Sequence, residues 1–191
     1  GDLIKIKELE KVSGVSLAVI KGLIKKEILI REDLKEYRVS FGSKSQDLGQ
    51  LSPAQHEAKN SILTQFESHF TCLFKGVTGS GKTEVYLSLI EKVRAQGKQV
   101  LVLVPEIALS MQTMARISAY FGEDVVMLHS GLSDQARTNA SYLAHHAKVS
   151  VVIGTRSALF TSMPNLGLIV VDEEHDLSFK QQTQVLYCAR D

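Results

Sequence analysis

An α/β fold is predicted for this chain: a parallel sheet covered by helices on both faces, built around a phosphate-binding loop. Three observations predict it. From about residue 51 onward, short apolar runs such as Val100–Val104 and Val149–Ile153 alternate with amphipathic stretches of helical length. The run Cys72–Phe74 leads into Gly76-Val77-Thr78-Gly79-Ser80-Gly81-Lys82-Thr83, which fits G-x-x-x-x-G-K-[ST]. About ninety residues later, Ile169-Val170-Val171 ends in Asp172-Glu173-Glu174-His175. With glycine near 7% of average usage, a chance match to the first motif in a chain this long is roughly a one-in-a-hundred event.

Residues 1–40 read as one region. Ile6, Leu9, Val12 and Val15 follow helical spacing, Gly14 breaks it, and Ser16 is placed to cap a second helix carrying Leu17, Ile20, Leu23 and Ile24. Ile28–Glu32 and Tyr37–Val39 are expected to form a hairpin, which gives the layout of a winged helix-turn-helix; a plain helical appendage fits the same residues. Residues 41–50 are polar and read as a linker. Ser52 and Pro53 then start a helix through Ala58, Ile62 and Phe66. Cys72–Phe74 is expected as a strand and Thr83–Ala95 as a helix with Tyr86, Leu89, Ile90 and Val93 on one face. There follow a strand at Val100–Val104, a helix at Ile107–Phe121, a strand at Val125–Leu128 and a helix at Ser133–Ala147. Strands at Val149–Ile153 and Leu168–Val171 close the series. Wholly apolar strands are those buried on both faces, and five of them suffice for a P-loop, RecA-like core over residues 51–191.

A chain of 191 residues with 44% apolar and 23% charged content is ordinary for a globular protein. The net charge of +1 excludes a global electrostatic footprint for nucleic acid, so any such contact must be local. No apolar run is long enough to span a bilayer, and no signal-peptide pattern opens the chain. Cys72 and Cys188 lack metal-ligand spacing and read as reduced thiols, which points to the cytoplasm. Gly1 in place of a starting methionine reads as a piece cut from something longer.

The glycine-rich loop joins a strand to a helix, so its backbone amides and the helix N-terminus point at bound phosphates. Lys82 should reach the β- and γ-phosphates, and the Thr83 hydroxyl should bind Mg²⁺. Asp172 is placed to hold Mg²⁺ and Glu173 to orient or deprotonate an attacking water, which makes Lys82, Asp172 and Glu173 the catalytic candidates. A hydrolase therefore outranks a P-loop kinase. Gln55, on the helix upstream, is a candidate for an adenine edge, although a glutamine there is often a surface residue. The loops carrying Pro105, Ser130, Gly131, Thr155 and Arg156 each follow a strand, so they share the ligand-binding edge of a parallel sheet. Their hydroxyls and amides suit contact with a nucleic-acid backbone without base reading.

Asp172-Glu173-Glu174-His175 matches the DExH form of a helicase motif. With Gly76–Tyr86, Val104–Leu109, Leu128–Gly131 and Gly154–Phe160, the chain resembles superfamily 2 DNA helicases, and more specifically the bacterial primosomal replication-restart helicases. The resemblance covers residues 51–191 strongly and extends to 1–40, where that family has a winged helix. It implies ATP and Mg²⁺ as cofactors, with nucleotide contacts at Gln55, at Gly76, Val77, Thr78, Gly79, Ser80, Gly81, Lys82, Thr83 and Glu84, and at His175. It implies ATP-driven 3′-to-5′ translocation on DNA forks and single-stranded DNA, with single-stranded DNA-binding protein and other primosome proteins as partners. Residues 178–191 resemble the family's aromatic-rich loop, where Phe179, Lys180 and Tyr187 would meet single-stranded DNA. Leu177 and Cys188 depart from the family's commoner residues there, and an ordinary loop with two aromatics is the plainer alternative. The family's fork-binding domain, zinc module and second RecA-like lobe with its arginine finger are expected beyond this chain, and zinc with them, so little hydrolysis is expected of this lobe by itself. An ATP-gated winged-helix regulator of DNA is the competing reading. Base-specific footprints would favour the regulator, and sequence-indifferent binding the helicase.

Overall fold

A computed structural model of the chain describes residues 4, 6–31, 49–77, 79–106, 117–180 and 187–189. The chain divides into two compact units, Gly1–Lys35 and Glu36–Asp191. In the first, α1 (Ile6–Ser13) and α2 (Leu17–Lys25) flank Gly14, whose φ of +69° turns the chain between them. Ser16 stands at the N-cap position of α2, but its hydroxyl makes no capping bond. The Glu10 carboxylate does that work, accepting from the Leu17 N–H at 3.0 Å. Residues 28–31 form no strand, and the rest of the expected hairpin and most of the linker lie outside the described residues.

The second unit opens with α3 (Pro53–Gln65). Ser52 Oγ accepts from the Gln55 N–H, and Gln55 Oε1 accepts from the Ser52 N–H, so both orphan donors of the helix start are satisfied. Next come α4 (Lys82–Arg94), β1 (Gln99–Leu103), β2 (Val125–Leu128), α5 (Asp134–His145), β3 (Val151–Gly154) and β4 (Leu166–Val171). The strands form a four-stranded sheet of order β2-β3-β1-β4, with every pairing parallel. Of the helix expected at Ile107–Phe121, residues 117–121 are helical and 107–116 lie outside the described residues.

The period-2 alternation of the strands divides the core between two faces. Val100 and Val102 join Leu87 and Ile90 of α4, together with Ile117 and Phe121, on one face. Leu101 and Leu103 join Leu143 and Ala144 of α5, with Phe179, on the other. β1, β2 and β3 are buried along their whole length, as apolar strands between two helical layers must be. One element departs from expectation. Residues 71–77 carry no strand assignment, although Cys72 and Phe74 turn inward against Ile62, Val85 and Leu89 while Leu73 faces out. The segment has a strand's alternation without its ladder, and three apolar residues are too short a run to dictate one.

Among the described residues, Gln99 is the one buried polar side chain at the start of a central strand. Its Nε2 donates to the carbonyls of Ala144 and Val149 at 2.8 and 3.0 Å, and its Oε1 accepts from the Asn165 N–H at 3.3 Å. It ties the end of α5 and the approach to β4 to the same point. At the other edge, Val104 N–H donates to Gly154 O, Thr155 N–H to Leu128 O and Asp172 N–H to Leu103 O, so the loops leaving all four strands emerge side by side.

Candidate nucleotide site and nucleic-acid edge

Gly81 begins the site. It stands at the N-cap of α4 with φ +81°, in the left-handed region that suits glycine. A Cβ there would lie 2.3 Å from Gln55 Nε2, which donates to the Gly81 carbonyl at 3.3 Å. Gln55 therefore serves two structures with one amide, the start of α3 and the end of the glycine loop. The Lys82 ammonium donates to the carbonyls of Gly76 and Val77 at 2.6 and 3.3 Å, so it lies over the loop. Gln55, Val77, Gly79, Ser80, Gly81, Lys82, Thr83, Glu84, Asp172 and Glu173 line one cleft of about 610 Å³. The structure thus brings most of the sequence candidates together. Thr78 lies outside the described residues, and Gly76 joins the site through the carbonyl that holds Lys82.

Asp172 directly follows β4 and faces the N-terminal turn of α4. Its Oδ1 accepts from the Glu173 N–H at 3.1 Å, and its Oδ2 from the Tyr86 hydroxyl at 3.3 Å. Burial pushes the Asp172 carboxyl above its ordinary value and the neighbouring Glu173 charge adds to this, while the hydrogen bonds from Tyr86 and Glu173 oppose it. The Tyr86 hydroxyl is held well above the usual phenol range, first by burial and then by the Asp172 charge. Glu173 has φ +51°, a left-handed conformation that strains a side-chain-bearing residue by about 1–2 kcal/mol. The bend lets Asp176 N–H close back on Glu173 O at 2.9 Å. It sets two consecutive carboxylates on the wall of one cleft. His175 is largely exposed and is not among the lining residues; its Nδ1 lies 3.7 Å from Glu173 Oε2.

The residues expected to touch nucleic acid separate into two groups. Ser130, Gly131 and Lys180 are exposed, and Tyr187 is partly so, its ring edge-on to Phe160 with centroids 5.0 Å apart. Pro105 and Thr155 are buried, and Phe179 is fully buried in the core beside Leu101 and Leu103. As described, Phe179 is a packing residue; its single neighbours in sequence gave no sign that the ring turns inward. Arg156 is engaged within the protein, donating to the carbonyls of Ser178 and Lys180, each at 3.1 Å. Gly154 permits this arrangement, because a Cβ there would come 2.4 Å from Ala158 Cβ and 2.5 Å from Leu128 O. The Ala189 N–H donates to Phe179 O, and Lys180 pairs with Cys188, so residues 188–189 lie against residues 179–180. Residues 181–186, 190 and 191 lie outside the described residues.

Residues 52–191 match the family described as DEAD/DEAH box helicase. The chain belongs to that family. Within this helicase family it is 43% identical over 190 residues to replication restart protein PriA of Chlamydia trachomatis, across 96% of this chain and 25% of the relative. It is 41% identical over 191 residues to PriA of Bacillus subtilis, across 96% of this chain and 24% of the relative. It is 53% identical over 127 residues to PriA of Haemophilus influenzae, across 66% of this chain and 17% of the relative. The chain spans about a quarter or less of the length of these relatives.

Two further features of the site were not apparent in the sequence. Tyr86 follows the apolar period of α4 and reads as core, yet its hydroxyl reaches the first carboxylate of the DExH run. Arg156 is expected at a nucleic-acid contact, yet it fastens the segment that follows that run. Among the described residues, no helix is long and apolar enough to cross a membrane.

Proposed function

We propose that this chain forms the ATP-binding lobe of a DNA helicase acting in replication restart, with hydrolysis of Mg-ATP driving 3′-to-5′ movement on DNA. The observation that carries the reading is the convergence of Lys82, Thr83, Asp172 and Glu173 on one cleft, where the start of α4 meets the end of β4. ATP is the substrate. Its phosphates would take the N-terminal amides of α4 and the Lys82 ammonium, which would exchange its carbonyl partners for a charged one. Thr83 and Asp172 offer the hard oxygen donors that Mg²⁺ takes alongside substrate phosphates. Held by those residues, Mg²⁺ would supply charge neutralisation at the phosphates. Glu173, bent into the cleft, is the group to orient and deprotonate the attacking water. Gln55 uses one amide hydrogen on Gly81 O and one lone pair on Ser52 N–H, which leaves one of each for an adenine edge. His175 is assigned to steadying Glu173 rather than to the nucleotide.

On the strand-end edge, Ser130, Gly131, Lys180 and Tyr187 are the candidates for DNA backbone and base contact, with Arg156 placing the loop. The partners that fit are forked and single-stranded DNA, single-stranded DNA-binding protein and other primosome proteins, in the bacterial cytoplasm. The relatives named for replication restart support this reading.

The test is nucleotide binding by calorimetry. Wild-type chain should bind Mg-ADP, and Lys82→Ala should reduce the affinity at least about tenfold, since a charged hydrogen bond to phosphate contributes roughly 1.5–3 kcal/mol. Equal affinity in the two proteins would overturn the assignment of the cleft.

A further inference from the structure

Tyr86 is buried at 8% exposure, packed by its ring into the core cluster of α4 and β1. A buried phenol needs a hydrogen-bond partner, and a backbone carbonyl would satisfy it. Here the partner is the Asp172 carboxylate, at a separation of 3.3 Å, which is long for such a bond. The direction of this bond follows from donor inventory alone: an ionised carboxylate can only accept, so Tyr86 donates to Asp172.

This bond matters for a cation site. A carboxylate that binds a metal must be fixed in rotation, and Asp172 is held on one oxygen by Tyr86 and on the other by the Glu173 N–H. We infer that Tyr86 is a positioning residue for Mg²⁺: its hydroxyl, donating to Asp172, fixes the rotation of the carboxylate placed to hold the cation. The inference rests on the nucleotide-site reading above and extends it to a residue whose period marks it as plain core. Tyr86 acts through its neighbours and does not itself touch nucleotide.

Tyr86→Phe tests it, because the ring and its packing remain and only the hydroxyl is lost. ADP binding to the chain is measured by calorimetry in EDTA and then across a Mg²⁺ titration. The expected result is an EDTA affinity and a melting midpoint matching wild type, with the half-saturating Mg²⁺ concentration raised about tenfold, at the lower end of what loss of an outer-shell partner does. A cycle with Asp172→Asn guards against an indirect effect. The double variant should lose less than the product of the two single losses, since Tyr86 works partly through Asp172. An unchanged Mg²⁺ dependence overturns the inference. So does a loss of EDTA affinity and melting midpoint equal to the Mg²⁺ effect, which marks a structural role, and so does full multiplication in the cycle. Wild type that fails to bind ADP under any condition overturns the nucleotide reading itself; Mg²⁺-dependent wild-type binding with an indifferent Tyr86→Phe overturns only this inference.

Discussion

Replacing Gly81 with alanine places a methyl group where the structure has none to spare. The new Cβ would stand 2.3 Å from Gln55 Nε2, at a backbone φ of +81°. The dihedral alone costs about 1–2 kcal/mol for a residue with a Cβ. Gln55 is the far end of a flexible side chain and can swing away, but it then gives up its bond to Gly81 O and its half of the capping box with Ser52. Those two losses add about 1–2 kcal/mol. Gly81→Ala should therefore destabilise the chain by roughly 2–4 kcal/mol. In a Gln55→Ala background the side chain is already gone, and the same substitution should cost only the dihedral share, about 1–2 kcal/mol. The assay is urea unfolding followed by far-ultraviolet circular dichroism, since the chain has no tryptophan. A coupling energy of about 1–2 kcal/mol between the two sites is expected. Additivity within about 0.5 kcal/mol would refute the claim that Gln55 and the glycine loop share one hydrogen-bonded unit.

Two further outcomes are expected. Gln99→Leu leaves the carbonyls of Ala144 and Val149 and the Asn165 N–H without their partner, and should cost about 2–4 kcal/mol in the same unfolding assay; a loss below about 1 kcal/mol would contradict the pinning role. Arg156→Ala releases the carbonyls of Ser178 and Lys180, so trypsin should cut after exposed Lys180 about tenfold faster; equal cleavage rates would refute the clasp.

Much of the architecture could be read from the chain because its signals were local. β2 is the strand Val125–Leu128 read from the sequence, and β1, β3 and β4 lie within two residues of the expected bounds, since wholly apolar runs of this length between polar turns leave few alternatives. The start of α3 was legible because Ser52, Pro53 and Gln55 carry it within four consecutive residues. What failed depended on distant neighbours. Cys72–Phe74 becomes a strand only if another segment supplies a ladder, and three residues cannot announce one. Ser16 has the right identity for a cap, but Glu10, a helix earlier, reaches Leu17 N–H in its place.

The site divides along the same line. The cleft was legible because the glycine loop and the DExH run are both contiguous, each carrying its own signature for phosphate or for metal and water. The functions of individual side chains around it were not legible, because residue type fixes what a group can do and not what it faces. Arg156 can pair with phosphate or with carbonyls, and the fold supplies carbonyls from a segment twenty residues away. Phe179 can stack on a base or fill a core, and the adjoining face of β1 leaves room for its ring. Tyr86 can end in solvent or in a hydrogen bond, and β4 delivers Asp172 to it. These three residues link the chemistry of the DExH run to the segment that follows it: Tyr86 holds the run at its first carboxylate, Arg156 and Phe179 hold the chain that leaves it. Between those fixed points Glu173 takes the left-handed backbone that sets its carboxylate beside that of Asp172 on the cleft wall.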